Sequence, residues 1–348
     1  PTRRSSDLVS GEILKKAGYK GGMVIAFILM ATGFFLVTFA SRSISFPLLL
    51  LALFISGLGQ ALLTAAVNTY VSIIGPEESA AKRIALMGIC NKTFYAVASL
   101  MLALSMDLAN VRLEDTLLPF YIISGVLLAL GFFYYLAPLP EINAVGEEGG
   151  ADHPKIKAHS KSKASIFQFP HLLLGIVAIF FIIGAETIAL GTINDYATIL
   201  NLSSPENFIW FTTVGMVTGY FLGVLFVPKY VSQKKVLLIS AVSGIIVTVA
   251  IVTVSAETSI YLVALLGLAN AMMWPAVWPL AIANLGPLTK TGSSLLATGI
   301  IGSAFMPLLF GYIAEESSYQ IAYLICLPAY MYVIFYALLG SKIKHCPA

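Results

Sequence analysis

The chain has 348 residues, of which 58% are hydrophobic and only 11% charged, with a net charge of +3 and a mean hydropathy of +0.90. Soluble domains carry roughly 25% charged residues, and no soluble fold hides this much apolar surface from water. The small positive charge excludes a binder of nucleic acid held by electrostatics, and Cys90, Cys326 and Cys346 have neither disulfide nor zinc-ligand spacing.

Taken in order, ten apolar segments are each long enough to cross about 30 Å of hydrocarbon as a helix. They lie at 21–40, 47–74, 83–106, 119–137, 171–194, 207–228, 235–255, 260–284, 291–314 and 319–340. One long hydrophilic stretch, with Gly146, Gly149, Gly150, Ser160, Ser162, Lys155, Lys157, Lys161 and Lys163, interrupts them. It reads as a flexible cytoplasmic linker at 138–168, between a four-helix block at 1–137 and a six-helix block at 169–348. The opening "PTRRSSDL" joins abruptly to the loop-like "VSGEILKKAGYKGG", so residues 1–8 read as foreign to the rest.

Alternate connections of such a chain share one side of the membrane. Arg3, Arg4, Lys15, Lys16, Lys20, Lys82, Arg83, Lys155, Lys157, Lys161, Lys163, Lys229, Lys234, Lys235, Lys290, Lys342 and Lys344 all fall on one side. Only Arg42 and Arg112 fall on the other, and Lys92 lies within a segment. The positive-inside rule therefore places both ends and the linker in the cytoplasm.

The stretch "GEILKKAGYKGG", with Gly11 and Gly18, resembles the glycine-punctuated basic loop after the second helix of major facilitator transporters, with Lys15 where that family usually has Asp. A closer resemblance, to the fucose/galactose/glucose:proton symporter branch, runs nearly end to end. "LLTAAVNTYVSIIGPEESAAKR" with "GICNKTF" is similar to its fourth and fifth helices, "FPHLLLGIVAIFFIIGAE" to its seventh, and "GLANAMMWPAVWPLAIANLGPLTKTGSSLL" to its tenth and eleventh. The resemblance implies an all-α membrane fold of two helical bundles, with ten of twelve transmembrane helices present and the first two missing. It also implies a hexose-type sugar moved by alternating access, a proton as the coupled ion and a bacterial inner membrane. Neither cofactor nor metal is expected, and the chain should act as a monomer in the lipid bilayer. Gly75-Pro76 and Gly286-Pro287, like Tyr19-Lys20 and Gln233-Lys234, sit at equivalent turns of the two halves, as a duplicated architecture requires.

Polar residues inside the bilayer are costly, and so mark candidate chemistry. Gln60, Thr64 and Asn68 recur every four residues on one helical face, as do Asn270, Trp274 and Trp278; Asn91, Lys92 and Glu186 complete the set. With a rise of about 1.5 Å per residue, most of them fall within roughly 6 Å of their helix midpoints. Amides can match the paired donors and acceptors of sugar hydroxyls, and an indole face can cover the apolar patch of a pyranose. The candidate substrate-binding residues are therefore Gln60, Thr64, Asn68, Asn91, Asn270, Trp274 and Trp278, with Glu186 and Lys92 as a coupling or charge pair. Each has a blander reading: the amides as glue between helices, the tryptophans as packing, Lys92 as a snorkelling cation.

Carried over by position, Thr64 stands where fucose permeases have an acidic residue and their relatives often Gln. Asn91 matches the fifth-helix Asn, Lys92 replaces a common Ser, and Tyr220 replaces the Arg often found in the eighth helix. The family's first-helix coupling carboxylate would lie upstream of this chain. His153, His159, His171 and His345 all lie outside the helix cores, so an enzyme is not expected. Two alternatives remain: an acidic sugar paired with Lys92, and a non-transporting sugar sensor on the same scaffold.

Overall fold

The computed structural model describes residues 9–105, 117–145, 147 and 166–343, and among them every regular element is helical. Hydrocarbon offers no partner to a backbone N–H or C=O, so a spanning segment must satisfy its own, and a helix does this within one segment.

The first four apolar segments become α1 (Val9–Ser43), α2 (Phe46–Ile73), α3 (Ala80–Ser105) and α4 (Leu117–Leu136). The next three are α5 (Pro170–Gly191), followed by the short α6 (Ile193–Ile199), then α7 (Phe208–Phe226) and α8 (Gln233–Thr253). Each of the last three is broken: α9 (Ala256–Ala271) with α10 (Met273–Ile282), α11 (Thr289–Ala297) with α12 (Gly302–Glu316), and α13 (Tyr319–Ala322) with α14 (Cys326–Leu338). Among the described residues nine spans are long and apolar enough to cross a membrane, and the remaining apolar segment forms α3.

Two local breaks in the helices have clear causes, and the first departs from the sequence reading. The loop expected before residue 21 is helical from Val9, and its break shrinks to Gly18, whose φ of 71° lies in the left-handed region. That break would orphan two backbone donors, but the Glu141 carboxylate accepts from Tyr19 N–H at 2.6 Å and Lys20 N–H at 3.3 Å. A side chain at Gly18 would run into the same carboxylate. The second is the interruption at Met272, in keeping with the prolines of that segment. Pro275 has no N–H to give to the Ala271 carbonyl, so the ladder fails there and a new helix starts.

Contacts gather the chain into two compact units. One holds residues 1–70, 93–160 and 286–295; the other holds 71–92, 161–285 and 296–348. Thus α3 and α11 each contribute to both. In the first unit α1 packs along α4, where Ser124 Oγ donates to Ala31 O at 2.8 Å. Bare glycines let α2 approach α1: a Cβ on Gly33 would lie 2.6 Å from Ser56 N, and one on Gly59 2.8 Å from Ala26 O. In the second unit α7 packs on α9, α8 on α14 and α5 on α12, with Gly219 held close to the α9 backbone at Leu268. Lipid can solvate the apolar side chains left outside, such as Phe54, Phe132 and Leu308.

Arg83 closes the end of α2. Its guanidinium donates to the carbonyls of Val71 at 2.7 Å, Ser72 at 2.6 Å and Pro76 at 3.0 Å, which the helix itself leaves unmet. Arg3, Arg4, Arg112, Lys155, Lys157, Lys161, Lys163, Lys344, His153, His159, His345 and Cys346 lie outside the described residues, as do residues 1–8 and most of the linker.

Candidate functional site

The second unit carries a mostly buried ion pair between two helices. Lys92 Nζ on α3 donates to Glu186 Oε1 on α5 at 2.9 Å, and the two side chains are only 13% and 14% exposed. Taking both charges out of water costs several kcal/mol each, and close pairing offsets much of that. The first half of α3 is fixed to bring this pair together. Gln233 accepts from Ala81 N–H at 3.0 Å and donates to Glu77 O at 2.6 Å. One turn before Lys92, Gly88 admits the Tyr220 ring of α7, since a Cβ there would sit 2.8 Å from it. Ala81, Ala85, Gly88 and Lys92 share one helical face, and Ala81 and Ala85 pack with Tyr220, Met216 and Met272.

Two phenols feel the charge of the Glu186 carboxylate. Tyr220 and Tyr330 are both buried, and both lie within its electrostatic reach. Tyr330 Oη donates to Asn270 Oδ1 at 2.9 Å, and Gly244 makes room for its ring, with a Cβ position 2.8 Å away. Asn270 is in the last turn of α9, beside the break at Met272. Its Nδ2 finds no hydrogen-bond partner among the described residues. Five helices thus converge an ion pair, two phenols and an amide donor on one cluster.

The other candidates fall into place unevenly. Trp274 and Trp278 contact each other, with ring centroids 5.1 Å apart and planes at 37°; Trp274 is half-buried, whereas Trp278 is fully buried and presents no surface. Asn91 is exposed beside Lys92. Gln60, Thr64 and Asn68 lie in the first unit, with Gln60 exposed and Thr64 half-buried. Asn68 is buried and turns its amide back to the Thr64 carbonyl at 2.9 Å, a bond within its own helix. Sequence reasoning missed Tyr330 and Gln233. A phenol in an apolar span needs a partner, but Tyr323, Tyr330, Tyr332 and Tyr336 crowd one segment and nothing singled out the one that holds Asn270. No group of His, Cys, Asp or Glu among the described residues could hold a metal ion.

Compared with known proteins, residues 6–299 match the Major Facilitator Superfamily profile. The chain belongs to that superfamily. A Brucella abortus glucose/galactose transporter is 29% identical over 347 residues, covering 96% of this chain and 82% of that one. The Escherichia coli L-fucose-proton symporter is 25% identical, covering 88% and 75%. The crystal structure of the superfamily transporter FucP in its outward conformation superposes with a TM-score of 0.79 at 22% identity, covering 95% of this chain and 85% of FucP. For the proton:xylose symporter XylE the values are 0.67, 15%, 94% and 81%. These structures share the superfamily fold of packed spanning helices seen here.

The ion pair generates a thermodynamic prediction. Lys92→Met or Glu186→Gln alone leaves a buried group without its partner and should lower stability in detergent by roughly 3 kcal/mol. Combining them should cost clearly less than the sum, as thermal unfolding of the two singles and the double will show. Additive losses would mean that the two side chains act independently.

Proposed function

We propose that this superfamily member moves a neutral hexose across the bacterial inner membrane in company with a proton. The observation that carries the choice of substrate is the 2.9 Å bond between Lys92 and Glu186. A cation already neutralised by a carboxylate is poorly placed to hold an acidic sugar, and the carboxylate would repel one. The named relatives support the same reading, since they are a glucose/galactose transporter and an L-fucose-proton symporter.

In this reading Gln60, Thr64, Asn91 and Trp274, the candidates with accessible surface, meet the sugar directly. Asn68, Asn270 and Trp278 are buried and support them; the free donor of Asn270 becomes a sugar ligand when the cluster opens. Glu186 and Lys92 serve as the coupling pair: a proton on Glu186 releases Lys92, and loss of that proton restores the bond. Transport proceeds by alternating access of two helical bundles, and the protein works as a monomer without catalysing a reaction. The charge asymmetry between connections orients it with both ends in the cytoplasm.

Two outcomes test this. Single cysteines at Ser43 and Ser317, both exposed, should react with an impermeant thiol reagent in intact cells, while one at Ser232 should react only once the membrane is opened. External labelling of Ser232 would reverse the orientation. In the full-length protein, Trp274→Ala and Asn91→Ala should each weaken hexose binding by roughly 1 to 3 kcal/mol, through lost stacking or a lost hydrogen bond. A binding panel of hexoses and uronates should favour the neutral sugars. A uronate preference that disappears in Lys92→Gln would sink the neutral-sugar reading.

A further inference from the structure

Residues 138–145 and Glu147, from the stretch that composition assigns to a flexible linker, are held down at several points within the first unit, together with Ala137 just before them. Lys20 Nζ donates to Ala137 O at 2.7 Å, Tyr70 Oη to Pro140 O at 3.0 Å, and the Glu141 carboxylate takes the two backbone donors at the Gly18 break. The strap then reaches Lys290, in the first turn of α11. Lys290 Nζ donates to Asn143 Oδ1 at 3.2 Å, lies 4.0 Å from Glu147 Oε2, and sits 5.1 Å above the Tyr19 ring. Just beyond it, Thr69 Oγ1 donates to Ser293 Oγ at 2.6 Å, and a Cβ on Gly11 would lie 3.4 Å from Thr291 Cα. Residues 286–295 are thereby fastened to the first unit, while the chain from Leu296 onward belongs to the second.

Glu147 is the unusual member. It is buried, its Oε2 accepts from Ala144 N–H at 2.9 Å, and its Oε1 finds no hydrogen-bond partner among the described residues. Tyr19 Oη and Thr291 Oγ1, also buried, have none either. A carboxylate closed in with one oxygen left without a partner is an expensive anion. Among the described residues, the charged and titratable groups that act on it are Lys290 from α11, Tyr19 from α1 and Glu141 from the strap itself.

We propose that Glu147 is a proton-binding site, distinct from the Lys92–Glu186 pair, whose occupation tightens the clasp between the linker and the first turns of α11. The direction follows from linkage. Burial raises the affinity of Glu147 for a proton, and Glu141 adds to this, while the Ala144 N–H, the Lys290 charge and the Lys290 backbone N–H oppose it without cancelling it. When the clasp opens, the carboxyl is solvated and returns to the ordinary range. The closed clasp therefore binds the proton more tightly than the open one, so acid favours closure and an ionised Glu147 favours release. If the protein carries protons inward with sugar, as proposed above, protons accumulating on the linker side would tighten the clasp and slow the cycle. That consequence rests on the transport reading; the proton site does not.

Hydrogen exchange of the peptide spanning residues 286–295, followed by mass spectrometry on the full-length protein in nanodiscs without sugar, tests the site alone. After correction for intrinsic exchange rates, protection should rise severalfold between about pH 7.5 and about pH 5. Glu147→Gln, permanently neutral, should show the high protection at both pH values. Lys290→Met removes the main opposing charge and should move the midpoint of the wild-type transition to higher pH, which decides the matter if Glu147→Gln does not fold. A flat wild-type profile, a Glu147→Gln profile that still follows pH, or an unmoved midpoint in Lys290→Met would each overturn the proposal. Because no sugar is present, none of these results depends on what the protein transports.

Discussion

A charge taken out of water has to be matched where it stands, and the bond between Lys92 and Glu186 is where this chain meets that demand. Much of the second unit is arranged around it. Gln233 ties down the start of α3, Gly88 lets the Tyr220 ring in beside it, and the phenol of Tyr330 lies near the carboxylate while holding Asn270. Without the pair, α3 would carry a buried ammonium with no counter-charge, and its close approach to α7 would lose its purpose. Small residues recur at the same contacts for a related reason: lipid is as apolar as leucine, so helices associate through close backbone approach and through polar bonds.

Much of this was legible in the residues themselves. Ten apolar stretches became ten helical segments because, in a bilayer, hydropathy and helicity answer to one constraint. Lys92, Glu186 and Asn270 stood out because each is expensive at its depth, and the structure brings them into one cluster. Other features follow from packing, which periodicity does not encode. The helix ahead of Gly18 depends on Glu141, more than a hundred residues away in sequence. The selection of Tyr330 among several tyrosines depends on Gly244 across from it. The strap at 137–145 depends on partners in α1, α2 and α11, whereas the glycines and charges of the stretch alone suggest a free linker. Trp278 looked like half of a sugar platform from its spacing, but it is enclosed, and Trp274 alone keeps an accessible face.

The two acidic groups illustrate how placement divides labour. Glu186 has a cation within bonding distance and phenols around it, a setting in which gaining or losing a proton changes what α3 is bonded to. Glu147 lies 4.0 Å from its lysine and is dominated by burial, and the proposed action of its proton is on the local clasp around α11. In the roles proposed above, one carboxylate couples and the other regulates.

The central claim is that the Glu186 carboxyl exchanges the coupled proton. Sugar-evoked proton uptake into liposomes carrying the full-length protein, with the membrane potential clamped, measures it most directly. The account predicts that wild type takes up protons when hexose is added, and that Glu186→Gln still exchanges labelled hexose at equilibrium while taking up none. Wild-type proton uptake per sugar in Glu186→Gln would contradict it.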